Sequence, residues 1–144
     1  MVCYNIILNS QNKVAGTPNN DTKYFYDWTF LNDTEYKLTF SFNGSSANST
    51  SAIPSVHIDL GQTTTYTNSS TMISGINSLS IGTLTNTGLL LSANQVSNGS
   101  IYLSHRPTNS IFSVRILDPS GVPLLDNGAS IMNNYILTLH LEQL

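Results

Sequence analysis

Apolar side chains recur at every second position along most of this chain. Val2, Tyr4, Ile6 and Leu8 share one parity. In KYFYDWTFLNDTEYKLTFSF, residues 23 to 42, the same is true of Tyr24, Tyr26, Trp28 and Phe30. After Leu31-Asn32-Asp33-Thr34-Glu35 the pattern resumes with Tyr36, Leu38, Phe40 and Phe42, separated by Lys37, Thr39 and Ser41. Val56, Ile58 and Leu60 alternate with His57 and Asp59, and Phe112, Val114 and Ile116 with Ser113 and Arg115. Tyr135, Leu137, Leu139 and Leu141 alternate with Ile136, Thr138, His140 and Glu142. A period of two is the signature of a strand with one face buried. Leu79 with Ile81 and Ile101 with Leu103 are weaker segments. The short apolar run Leu89 to Leu91 predicts burial on both faces.

The punctuation fits strands. Asn43-Gly44, Asn98-Gly99 and Asn127-Gly128 are dipeptides that accept the positive φ of tight hairpin turns. Asp118-Pro119-Ser120-Gly121 predicts a type I turn folding 112–117 back onto 122–125. Pro123 marks an edge or a bulge, since proline cannot donate to a ladder. The two halves of 23–42 predict a hairpin, and the segment 135–142 a strand inside a sheet. Residues 43–55 and 61–74 are low in complexity and predict long polar loops. No window has a helical period. Eight to ten short antiparallel strands predict an all-β fold, a single β-sandwich of jelly-roll-like type spanning 1–144.

The aromatic ladder of 23–42 suits either a ligand platform or a core. Its parity is that of the apolar face of an amphipathic strand, which favours the core and predicts a buried Trp28. Phe25 lies on the opposite parity and is a candidate contact residue.

Composition sharpens the picture. Of 144 residues, 17 are Asn, 20 Ser and 16 Thr, while 40% are hydrophobic. Regular alternation of the two sets argues for a folded β protein rather than a disordered tract. Only 9% of residues are charged and the net charge is -3. Two arginines and three lysines do not make the basic stripe that phosphate backbones require, so nucleic acid is not an expected partner. No apolar run reaches membrane-spanning length, and the first residues lack the features of a signal peptide. Cys3 is the single cysteine, which excludes an intrachain disulfide. Six Asn residues head N-x-S/T triplets, a number that such a composition produces by chance.

Candidate chemistry is sparse. His57 and Asp59 sit two apart on one strand face, but no further ligands follow at metal-binding spacing, so no metal and no cofactor is expected. They are expected as outward polar residues. There is no G-x-S-x-G elbow and no glycine-rich phosphate loop. The only glutamates, Glu35 and Glu142, lie in a loop and at the end of the chain. The chain is therefore not expected to be an enzyme. Candidate interface residues are Phe25, Tyr66 in the 61–74 loop, and Arg106, whose planar fork suits contacts with several acceptors.

The order Tyr26-Asp27-Trp28, Tyr36-Lys37-Leu38-Thr39-Phe40, His57-Ile58-Asp59-Leu60-Gly61, Tyr102 to Pro107, Phe112 to Asp118 and Tyr135 to Glu142 resembles small minor capsid proteins of large icosahedral nucleocytoplasmic DNA viruses. The resemblance implies a jelly-roll-like cement protein of the virion, assembled in the host cytoplasm. Its implied partners are the major capsid protein and other minor capsid proteins. It implies no catalytic residue. The alternative is a carbohydrate-binding or fibre-tip module using the two polar loops, with Tyr66 or Phe25 as stacking groups.

Overall fold

A computed structural model describes residues 2–16, 19–46, 53–61, 70–73, 76–94, 100–126, 129–130 and 132–144. The alternating segments form strands. They are β1 (Cys3–Asn9), β2 (Asp21–Phe25), β3 (Tyr36–Ser46), β4 (Ser55–Ile58), β5 (Ser70–Ile73), β6 (Ile76–Thr83) and β7 (Thr85–Thr87). They continue with β8 (Leu90–Ala93), β9 (Ile101–Leu103), β10 (Ile111–Leu117), β11 (Leu125–Asp126), β12 (Ala129–Ser130) and β13 (Met132–Gln143). The first sheet has the order β1-β13-β3-β8-β7, with β9 also paired to β3; the second has the order β2-β10-β4-β6-β5. All pairs are antiparallel. The chain is an all-β sandwich of two packed sheets.

One apolar cluster joins the sheets. The first sheet contributes rows that run across strands: Ile6 pairs Leu139, which pairs Phe40, and Leu8 pairs Leu137, which pairs Phe42. Each of these six is buried. The second sheet answers with Tyr24, Val56, Ile58, Phe112, Val114 and Ile116, all buried. Three hydroxyls are enclosed between the layers. Tyr24 donates to the Tyr135 hydroxyl at 2.8 Å, and Thr22 Oγ1 lies 2.7 Å from it. Their mutual bonds satisfy groups that would otherwise be costly to bury. Burial keeps the Tyr135 phenol protonated well above its ordinary range.

The expected hairpin of 23–42 is not formed. β2 pairs with β10 in the second sheet, whereas β3 lies between β13 and β8 in the first. The cause is Asp27. Its Oδ1 accepts from Thr29 N at 3.0 Å and Thr29 Oγ1 at 2.6 Å, capping a 3₁₀ turn at Trp28–Phe30. The turn ends the strand and carries the chain from one layer to the other. Trp28 stays in the core at 3% exposure, as its parity predicts, but Phe30 emerges at 53%.

Three other expectations also change. Asn43-Gly44 is not a turn but part of β3, with Gly44 paired to Tyr135 and to Leu91. Glycine is required there by space. A Cβ would lie 2.8 Å from Phe42 Cε1 and 2.9 Å from Tyr135 Cβ, and those two rings stack with centroids 5.1 Å apart. Gly44→Ala is expected to cost about 1–3 kcal/mol, as overpacking does; an unchanged melting temperature would refute this. Leu91 is buried, but Leu89 and Leu90 are exposed, because the run crosses the β7–β8 turn rather than a doubly covered strand. The 61–74 stretch is not all loop, since its last residues include β5, and 43–46 extend β3.

Other expectations hold. Gly121 N donates to Asp118 O at 3.0 Å, and Leu124 N to Ile116 O, so the turn folds back as predicted. Pro123 sits at an isolated bridge with Leu117. β11 and β12 pair antiparallel, Leu125 with Ser130 and Asp126 with Ala129; the expected turns at Asn127-Gly128 and Asn98-Gly99 lie outside the described residues. β13 is an inner strand, paired on one side to β1 and on the other to β3. Its one irregularity is a bulge between Met132 and Tyr135. Buried Ser10 accepts from Tyr135 N there at 3.0 Å, and Gln11 reaches Asn134 at 2.7 Å.

Candidate interaction surface

With the core filled by one parity, the opposite parity makes the two outer faces. On the second sheet, Phe25 is 60% exposed and pairs directly with exposed Ile111. The next rungs on that face are polar: Lys23 beside Ser113, then Asp21 beside Arg115 and His57. Arg115 Nε lies 3.3 Å from Asp21 Oδ1. His57 differs from expectation. It shares the outward parity, yet it is only 6% exposed, with Nε2 2.8 Å from Ser55 Oγ. Asp59 is half-buried and accepts from Asn109 Nδ2 at 2.9 Å, which ties the end of β4 to the 105–110 segment. His57 and Asp59 therefore serve separate polar contacts.

Burial first, and the Arg115 charge second, hold the His57 imidazole below its ordinary value of 6.5. The unfolded chain takes up a proton near that value, while the native chain resists it. Stability from this group is present above about pH 6.5 and is lost as the pH falls toward the native value. Denaturation midpoints measured from neutral to mildly acidic pH should fall less steeply in His57→Gln than in the parent. Equal slopes would contradict the assignment.

The sandwich end beside β1 is aromatic. Tyr26 packs on Trp28 at 4.7 Å and Phe30 at 5.8 Å, and Phe30 meets Tyr4 at 5.6 Å. Arg106 holds this end together. Its Nη1 donates to Leu31 O at 2.7 Å and Thr29 O at 3.3 Å, while Trp28 Nε1 donates to Asn109 O at 2.9 Å. The guanidinium expected at an interface is thus engaged with the carbonyls of its own chain. The cleft between Asp27, Thr29, Arg106 and Thr108 holds about 160 Å³, below the 300 Å³ or so that small-molecule sites occupy. Tyr66 lies outside the described residues.

The outer face of the first sheet is broader and almost uncharged. It carries Cys3, Asn5 and Ile7 of β1, Ile136, Thr138, His140 and Glu142 of β13, and Lys37, Thr39, Ser41 and Asn43 of β3, so its formal charges among the described residues are the one cross-strand pair Lys37–Glu142. Two shallow depressions mark it. One, of about 520 Å³, is polar and includes Asn5, Lys37, Thr39, His140 and Glu142. The other, of about 710 Å³, is more apolar and includes Asn43, Leu90, Leu91 and Ile136. His140 Nδ1 and Asn5 Oδ1 are 2.6 Å apart across the first. Sequence reasoning did not single out this face, because an Asn/Thr/Ser row resembles any solvated strand face.

Among the described residues no group of three His, Cys, Asp or Glu side chains is placed to hold a metal ion, and no helix is long and apolar enough to cross a membrane. No protein-family model matches the chain, and no curated protein sequence matches it.

Proposed function

We propose that this chain is a structural component of a virus particle, a minor capsid protein that cements major capsomers through protein–protein contacts. The observation that carries the reading is the wide outer face of the first sheet, whose only formal charges among the described residues are the Lys37–Glu142 pair, over a buried apolar core. Such a face meets neighbours without desolvating many charges, and ordinary interfaces are no more apolar than the rest of a surface. The strand order adds support. Through β1, β2, β3, β4, β6, β8, β10 and β13 the chain passes repeatedly between the two sheets, as the jelly-roll-like architecture implied by the resemblance requires. Its partners in this reading are the major capsid protein and other minor capsid proteins, in virions assembled in the host cytoplasm.

The polar depression around Asn5, Lys37, His140 and Glu142 favours a second reading, a carbohydrate-binding or fibre-tip module. Mass spectrometry of purified particles separates the two. The capsid reading predicts the chain in fixed ratio to the major capsid protein through successive salt washes. A chain absent from particles, whose melting temperature rises with a particular glycan, would replace it by the second reading.

A further inference from the structure

We infer that β1 is a self-pairing edge: two copies of this chain join antiparallel through β1, making one continuous sheet across a two-fold axis. The inference starts from how each sheet edge is finished. β7 and β9 are three residues long and β5 is four. The open side of β2 is taken by the chain itself, since Val14 N donates to Lys23 O and Lys23 N to Ala15 O, both at 2.9 Å. β1 has neither protection. Its seven residues pair with β13 in unbroken register, without a bulge. From residue 2 to residue 12 the chain has no charged residue, no proline and no glycine. Charges, prolines, bulges and short strands are the devices that keep sheet edges apart, and β1 uses none of them.

The free hydrogen-bonding groups can be assigned. Gln143 N donates to Val2 O at 2.9 Å. Val2 is the next rung after the Cys3–Glu142 pair, so this rung is hydrogen-bonded. Bonded rungs alternate in an antiparallel ladder. Tyr4, Ile6 and Leu8 therefore direct N–H and C=O toward β13, while Cys3, Asn5 and Ile7 direct theirs to the open side. Among the described residues no backbone group pairs with those three. Ile7 is also the most exposed large hydrophobic described, at 66%.

A second copy is the occupant that answers all of this at once. The register centred on Ile6 pairs Asn5 with Ile7 of the second copy, and the reverse, so both open edges are satisfied in one event. The two Ile7 side chains then lie diagonally across the axis, within reach of each other. No like charges oppose one another. Seven rungs span roughly 23 Å, a small contact of the weak, concentration-dependent class. The inference does not rest on the capsid reading and holds equally for a ligand-binding module.

The test is amide exchange by nuclear magnetic resonance on the whole chain, with sedimentation velocity, from micromolar to millimolar protein under reducing conditions so that Cys3 cannot cross-link. The expected result is a mass rising from 15.7 kDa toward twice that value. The Asn5 and Ile7 amides should slow at least about tenfold at high concentration, while Tyr4, Ile6 and Leu8 are protected throughout. Ile7→Lys should keep the melting temperature and remain monomeric. A chain that is monomeric throughout, Asn5 and Ile7 amides indifferent to concentration, or an oligomer that survives Ile7→Lys would each overturn the inference.

Discussion

A chain lacking residues 135–144 is expected to be insoluble, or to show no cooperative thermal transition. β13 is the inner strand on which the first sheet is built, with seven rungs to β1 and a longer ladder to β3. The deletion removes Tyr135, Leu137, Leu139 and Leu141, all buried. Burying such a side chain contributes about 1.5–3 kcal/mol, so the four together rival the whole stability of a domain, about 5–15 kcal/mol. The loss also strips β1 of its one neighbour and exposes β3 as a new edge, which invites aggregation. A soluble truncated chain with the parental melting temperature would show that the segment is a peripheral arm.

Trp28→Ala is expected to destabilise the protein by about 3–5 kcal/mol, in the range of large aromatic truncations. The indole packs against Tyr26 at 4.7 Å and Phe112 at 5.6 Å, and its N–H is satisfied by Asn109 O. Alanine leaves a cavity and an unpaired carbonyl at the place where β2 hands the chain to β3. In the parent protein, tryptophan emission should be blue-shifted and protected from iodide. Red-shifted, freely quenched emission, or a variant that melts like the parent, would remove Trp28 from the core.

The fold class was legible because parity is a property of single strands. A side chain two positions from a buried one is on the same face whatever the partner strand, so the core faces of β3, β10 and β13 could be read directly. Pairing was less legible. The 23–42 segment carries two strands of matching texture, and nothing local says that they belong to different layers. The deciding feature is a side chain bonding its own backbone two residues on, Asp27 to Thr29, a common device for ending regular structure. Asn43-Gly44 misleads for the opposite reason: the glycine answers a three-dimensional crowding by Phe42 and Tyr135 rather than a turn. His57 has the parity of a solvated residue, and its burial depends on what covers the outer face. The contact surfaces were the least legible, since Phe25 stands out by parity but the broad face of the first sheet does not.

Chemical cross-linking within purified particles tests the central claim most directly. The chain has only three lysines, Lys13, Lys23 and Lys37. Lys37 belongs to the first sheet and Lys23 to the second. The account predicts that the chain is recovered in particles and that Lys37 is joined by an amine cross-linker to the major capsid protein. Recovery of the chain only from the soluble fraction of infected cells, with no cross-link to any capsid protein, would contradict it.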